Sequence, residues 1–141
     1  MSQEKISVLC PTRGRIKTSH GNFVEQLIMT AKDTAEDFNL VEFVFYVDSD
    51  DDETQNYLNK LGYDNVKFIS GDRIVLSEMW NRCYEASTGE ILFHCGDDIR
   101  FRTQNWDSAV REKFIEYDDK IAFVFGNDLK RGNPSDFGTH G

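Results

Sequence analysis

The feature that most constrains this chain is a regular alternation of short apolar runs with longer amphipathic segments. Residues 5–10 (KISVLC) form an apolar run closed by Pro11, which predicts a buried strand. Phe23, Leu27 and Ala31 then recur at helical spacing and Phe38 ends the segment, so an amphipathic helix is expected over 22–37. Residues 41–47 (VEFVFYV) are strongly β-prone and stop at Asp48. A short helix over 53–61 ends at Gly62, a suitable helix C-cap, and a third strand falls at 66–69. The next helix, over 75–86, sets Met79, Cys83 and Ala86 on one side, and a fourth strand at 91–94 leads into Gly96, Asp97 and Asp98. Trp106, Val110 and Phe114 mark a further helix, and 121–125 (IAFVF) a fifth strand.

Short strands that are apolar on both faces belong in a parallel sheet covered by helices. The strand–helix alternation therefore predicts an α/β fold: a mostly parallel, doubly wound, Rossmann-like sheet with helices on both faces. In such sheets ligands sit beyond the carboxyl ends of the strands. Those ends carry Pro11-Thr12-Arg13-Gly14-Arg15, then Asp48 to Asp52, then Ser70 to Arg73, then Gly96-Asp97-Asp98. Polar and charged residues thus gather on the edge where a ligand would bind.

Composition narrows the partners. The chain has 141 residues, one domain's worth, and 39% of them are hydrophobic, enough for a core. Its 16 Lys and Arg face 25 Asp and Glu, a net charge of -9, which speaks against a general grip on nucleic acid. No apolar run is long enough to span a bilayer, and the N-terminus lacks a signal-peptide pattern. Three cysteines make no disulfide framework and fit a reducing, cytoplasmic setting. A membrane protein, a secreted mini-domain and a coiled coil are all disfavoured.

Asp97 and Asp98, adjacent carboxylates after a buried strand, suit Mg²⁺ or Mn²⁺, which are commonly held by one or two carboxylates plus substrate phosphates. The competing reading is a solvated acidic turn. Asp48 is either an acceptor for a ribose hydroxyl or base N–H, or a turn residue. Asp50, Asp51, Asp52 and Glu53 are expected to open a helix, where carboxylates suit the macrodipole. In the loop after the first strand, Arg13 and Arg15 offer donors to phosphate, and Arg73 adds a third cation at that edge. The loop matches neither the G-x-x-x-x-G-K-S/T nor the G-x-G-x-x-G pattern, and an ordinary basic turn remains the alternative. Cations, carboxylates and a divalent ion on one edge together make a site for a nucleoside diphosphate.

Three stretches carry a family resemblance: SVLCPTRGR, VFYVDSDD and LSEMWNRCYEASTGEILFHCGDDI. Through them, residues 6–127 resemble the nucleotide-binding N-terminal half of family-2-type glycosyltransferases with the GT-A fold. The last stretch, with its helix Asn, its Ala-x-x-Gly-Glu and its DXD-like motif, is the most specific. The resemblance implies a nucleotide-diphospho-sugar donor, with a UDP-sugar favoured, and a divalent metal, Mn²⁺ or Mg²⁺. It implies transfer of the sugar to an acceptor hydroxyl, the acceptor being unknown. Thr12 and Asp48 would contact the nucleoside, Arg73 its base or phosphate, and Asp97 the ribose or metal. The candidate nucleotide-binding set is Pro11, Thr12, Arg13, Arg15, Asp48, Arg73 and Asp97, with Asp98 the candidate metal ligand. Gly96 stands where a strict DXD motif has its first Asp.

Trp80 and Trp106 are expected to pack helices on the sheet, Asn81 to support the loop backbone, and His94 to be a core or cross-strand residue. Cys10, Cys83 and Cys95 read as small buried hydrophobes. No residue is assigned as the general base that an inverting transfer needs. Asp128 and Asp136 read as loop residues, and His140 is an alternative late metal ligand. Residues 1–127 are read as the nucleotide-sugar-binding domain and 128–141 as a loop or tail toward an acceptor half. Against the family's domain length the chain reads as half to two-thirds of one, which predicts a dimer or a partly disordered tail. Two alternatives to a transferase stay open. One is a domain that binds nucleotide and metal without transfer. The other, a phosphatase or receiver type, is disfavoured because no acidic pair follows the first strand.

Overall fold

A computed structural model of the protein describes residues 4–115. The elements come in the expected order: β1 (Ile6–Thr12), α1 (Phe23–Thr34), a 3-10 turn (Phe38–Leu40), β2 (Val41–Asp48), α2 (Asp52–Leu61), β3 (Val66–Gly71), α3 (Leu76–Ala86), β4 (Ile91–His94) and α4 (Trp106–Ile115). The strand expected at 121–125, the boundary at 127 and the tail lie outside the described residues.

The four strands are all parallel, in the order β3-β2-β1-β4. Every residue of β1 and β2 is buried, as their two-faced apolar sequences require. One face of the sheet, with Ile6, Val8, Phe43, Phe45 and Ile91, packs against Leu27 and Ile28 of α1, Leu58 of α2 and Trp106 of α4. The other, with Leu9, Val44 and Tyr46, packs against Met79 and Cys83 of α3. Helices therefore cover both faces, and the doubly wound α/β arrangement is present.

β1 runs two residues past its expected end, through Pro11 to Thr12. Lys5 and Leu9 turn their carbonyls to β4, accepting from Ile91 N at 3.1 Å and Cys95 N at 3.0 Å. Pro11 is next in that series, beyond the end of β4 at His94, so its missing N–H removes no ladder bond. Local capping follows the sequence: Asn22 accepts from Glu25 N at the start of α1, and Gly62 closes α2 with φ 78°.

At the amino end of the strands sits a carboxylate that the β-prone run around it conceals. Glu42 is 4% exposed. Its Oε1 accepts from Ser7 Oγ at 2.8 Å and Thr88 N at 2.9 Å, and its Oε2 from Thr88 Oγ1 at 2.8 Å. Lys5 and Lys67 lie 3.2 and 3.3 Å from Oε2. Burial alone would raise its pKa, but the donors from Thr88, Ser7 and Lys5 prevail and bring it down to about 2. A folded-state value below the ordinary 4.5 stabilises the fold above pH 4.5, and that contribution is lost as pH falls toward about 2. Glu42→Gln should therefore cost about 2 kcal/mol at pH 7 and much less near pH 2, where the wild type is also protonated. Urea unfolding at the two pH values checks this; an equal loss at both would refute it.

Candidate functional site

The chain steps outward from β1 to β2 to β3 and then returns to β4 on the opposite side of β1. The carboxyl ends of β1 and β4 are the switch point of the sheet, the place where open α/β sheets bind ligands. Thr12 ends β1 there, and Gly96 and Asp97 follow β4. Thr12 Oγ1 donates to Asp97 Oδ2 at 3.0 Å, and Arg15 Nε lies 3.3 Å from the same oxygen. Two stretches 85 residues apart in sequence are thus joined across the switch point.

One strand over, Asp48 at the end of β2 is fully buried. Arg13 clamps it with both prongs, Nε to Oδ2 at 2.5 Å and Nη2 to Oδ1 at 3.0 Å. This is the bidentate geometry that makes Arg–carboxylate pairs strong. Gln55 Nε2 fixes the same strand end by donating to the Asp48 carbonyl at 3.0 Å. Arg73 stands apart from this cluster, on the rim: its Nε is 3.4 Å from Asp50, and both side chains are mostly exposed, so the pair holds little together.

Asp51 caps α2 as expected, accepting from Thr54 N at 3.2 Å and Thr54 Oγ1 at 2.8 Å. It also accepts from Gly14 N at 3.0 Å, tying the β1 loop to the β2 loop. Burial would raise its pKa, but the Gly14 and Thr54 donors outweigh it and hold it below the usual carboxylate range. This bridge escapes a reading by motif, because an acid opening a helix looks the same with or without a second partner.

Asp98 differs from Asp97 beside it. It is exposed, and among the described residues no side chain bonds to it. Its carboxylate folds back toward Gly96, where an added Cβ would stand 3.1 Å from Oδ1. The glycine that departs from the DXD pattern thus makes room for this carboxylate.

The edge carries Arg13, Arg15 and Arg73 against Asp48, Asp50, Asp51, Asp52, Asp72, Asp97 and Asp98, three cations to seven acids. Each arginine is already paired with an aspartate. A diphosphate approaching such an edge needs a cation to offset the excess of carboxylates. No group of three His, Cys, Asp or Glu forms a ready-made cage among the described residues. An unpaired carboxylate such as Asp98 fits instead a metal held largely by substrate oxygens and water.

The aromatic and sulfur residues divide. Trp106 is 5% exposed, packs on Phe101 at 4.3 Å between centroids and donates to Ala31 O at 3.2 Å. Trp80 is half-buried and donates to Leu9 O at 3.3 Å, so both tryptophans do pack helix on sheet. His94 is exposed rather than in the core, but it is a cross-strand residue: it pairs with Leu9 of β1 and stacks on Trp80 of α3 at 5.1 Å. Asn81 is exposed and makes no bond to the loop backbone. All three cysteines are buried and free, and burial pushes Cys10 well up and Cys83 to about 12, so neither is poised as a thiolate. Phe23, expected only as helix core, also has Arg15 and Arg100 stacked on its ring, each 5.4 Å from the centroid.

The four-stranded parallel sheet with helices on both faces is a Rossmann-like α/β fold of GT-A type. Two solved structures share it. Residues 1–349 of TarS from S. aureus align with a TM-score of 0.57 at 19% identity, over 79% of this chain and 32% of that one. A second TarS structure aligns with a TM-score of 0.55 at 20% identity, over 79% of this chain and 19% of that one. The chain therefore spans about a third of the first and a fifth of the second. At this identity the likeness is one of fold. No protein-family model and no curated protein sequence matches the chain. Among the described residues, no helix is long and apolar enough to cross a membrane.

Proposed function

We propose that this domain binds a nucleotide-diphospho-sugar at the carboxyl edge of its sheet, with a divalent metal, and presents the sugar for transfer to an acceptor hydroxyl. The observation that carries the proposal is the Thr12–Asp97 bond across the switch point, which leaves Asp98 as the free carboxylate beside it. Thr12 and Asp48 face the nucleoside, in a loop whose course Pro11 sets. Arg13 and Arg15 exchange their aspartates for phosphate oxygens, and Arg73 reaches in from the rim. Asp98 holds Mn²⁺ or Mg²⁺, with Asp97 beside it, and the metal's part is to neutralise the departing diphosphate. UDP is the favoured nucleotide. Three free, buried thiols suit a reducing, cytoplasmic setting.

A second reading is a domain that binds nucleotide and metal but transfers nothing. Asp128, Asp136 and His140 lie outside the described residues. Calorimetric titration with UDP and GDP, with and without Mn²⁺, tests both readings. Metal-dependent binding is expected, and its absence would sink both. Binding together with turnover of a nucleotide-sugar selects the transferase, and binding without turnover selects the second reading.

A further inference from the structure

The opposite end of the sheet carries a concave surface. It is a cleft of about 570 Å³ below the amino ends of β1, β2 and β3, lined by Lys5, Lys32, Lys67, Glu42, Tyr63 and Asp64 among others. In a chain of net charge -9, three ammoniums converge here against two carboxylates.

Two of those ammoniums are built in. Lys5 and Lys67 both lean on one oxygen of Glu42, at 3.2 and 3.3 Å, so one negative charge is shared between two positive ones. Glu42 is itself held from below by Ser7 and Thr88, which fixes where the ammoniums stand. Cations positioned before binding lose less entropy when a ligand arrives. Lys32 completes the set from α1, with its Nζ 3.3 Å from the Tyr63 hydroxyl and 5.1 Å from the ring centroid. Tyr63 stands edge-on to Phe38 at 6.3 Å, giving the cleft an aromatic wall. Half-exposed lysines held by a buried carboxylate beside an aromatic face suit a dianionic group attached to a sugar or other flat, weakly polar body.

We propose that this cleft is a second ligand site, separate from the carboxyl edge, for a small phosphorylated molecule whose phosphate sits among Lys5, Lys32 and Lys67 and whose body lies on Tyr63. The site does not depend on the transferase reading, because none of its residues belongs to the nucleotide edge. It gives the domain a way to hold a phosphorylated sugar at the end remote from the donor.

Amide chemical shifts followed on titration with inorganic phosphate and with glucose 6-phosphate test it. Saturable shifts are expected at 63–67 and around Lys5, with glucose 6-phosphate binding at least about fivefold more tightly than phosphate. Lys32→Met and Lys67→Met should each weaken glucose 6-phosphate about tenfold. Lys32 is exposed and makes no contact with Glu42, so its variant stays informative if loss of Lys67 disturbs the sheet. Arg13→Ala should leave this binding unchanged. Shifts confined to 12–15, no saturable binding, or full affinity in Lys32→Met would overturn the proposal.

Discussion

Asp98→Ala should abolish the manganese dependence of nucleotide binding, lowering UDP affinity in Mn²⁺ by about a hundredfold. It should leave the unfolding midpoint unchanged. The two halves of this expectation come from the same fact. Asp98 is exposed and bonded to no described residue, so nothing in the fold is lost with it. Asp97 offers no such clean test: its removal would orphan the Thr12 hydroxyl and the Arg15 guanidinium together. On the proposed reading the metal is needed because the edge carries more acids than cations, and its arginines begin paired. Without a divalent ion, a diphosphate must displace aspartates from Arg13 and Arg15 against the field of the remaining carboxylates. Titration of wild type and variant, each with and without Mn²⁺, reads the effect directly. Equal affinity of the two proteins in Mn²⁺ would remove Asp98 from the metal site.

The parts of this molecule that the sequence reveals are those governed by local periodicity. The apolar run at 41–47 is a strand because nothing else buries both of its faces, the run at 91–94 pairs with β1 while Leu92 and His94 stay exposed, and the helix over Leu76–Ala86 shows Met79 and Cys83 at matching spacing. From that order the strand ends follow, and with them the grouping of Thr12, Asp48 and Asp97. Pairings between distant side chains are another matter. Arg13 and Arg15 look alike in sequence, yet one clamps Asp48 and the other Asp97, because neighbouring residues beyond a strand end diverge toward different strands. Pro11 looks like a strand terminator, and only the early end of β4 shows why it is not one. Glu42 is hidden inside an apolar run, where its partners Ser7 and Thr88 become neighbours only after the sheet has formed.

Asp107 is the acid whose loss should be felt most by the fold. Asp107→Ala should lower the unfolding free energy by about 3–5 kcal/mol. The carboxylate is fully buried at the start of α4, where it accepts from Glu36 N at 2.8 Å and Asp37 N at 3.0 Å, just beyond the end of α1. Arg111, one turn on and 7% exposed, lies 3.4 Å from it and reaches the carbonyls of Glu4 at 2.6 Å and Leu40 at 3.4 Å. In sequence this is an ordinary i,i+4 pair on a helix, worth a few tenths of a kcal/mol at a surface. Burial changes its weight, since alanine would leave two backbone donors and a guanidinium without their acceptor. Burial also raises the Asp107 pKa, but the Asp37 and Glu36 donors outweigh it and hold it below the usual carboxylate range. The stabilisation is therefore present at neutral pH and fades as the solution is acidified below that range. Asp107→Asn keeps one acceptor oxygen and should lose about half as much. The effect should reach the nucleotide edge as well. The loop from Asp97 and Asp98 enters α4 through Phe101, whose N–H donates to Thr30 Oγ1 at 3.0 Å and whose ring lies against Trp106. With α4 loosened from α1, that loop loses its far anchor, so Asp107→Ala should weaken UDP binding severalfold even where the protein remains folded. Urea unfolding followed by calorimetry on the same sample measures both effects. A loss of stability under about 1 kcal/mol would show that the pair behaves as a surface pair after all.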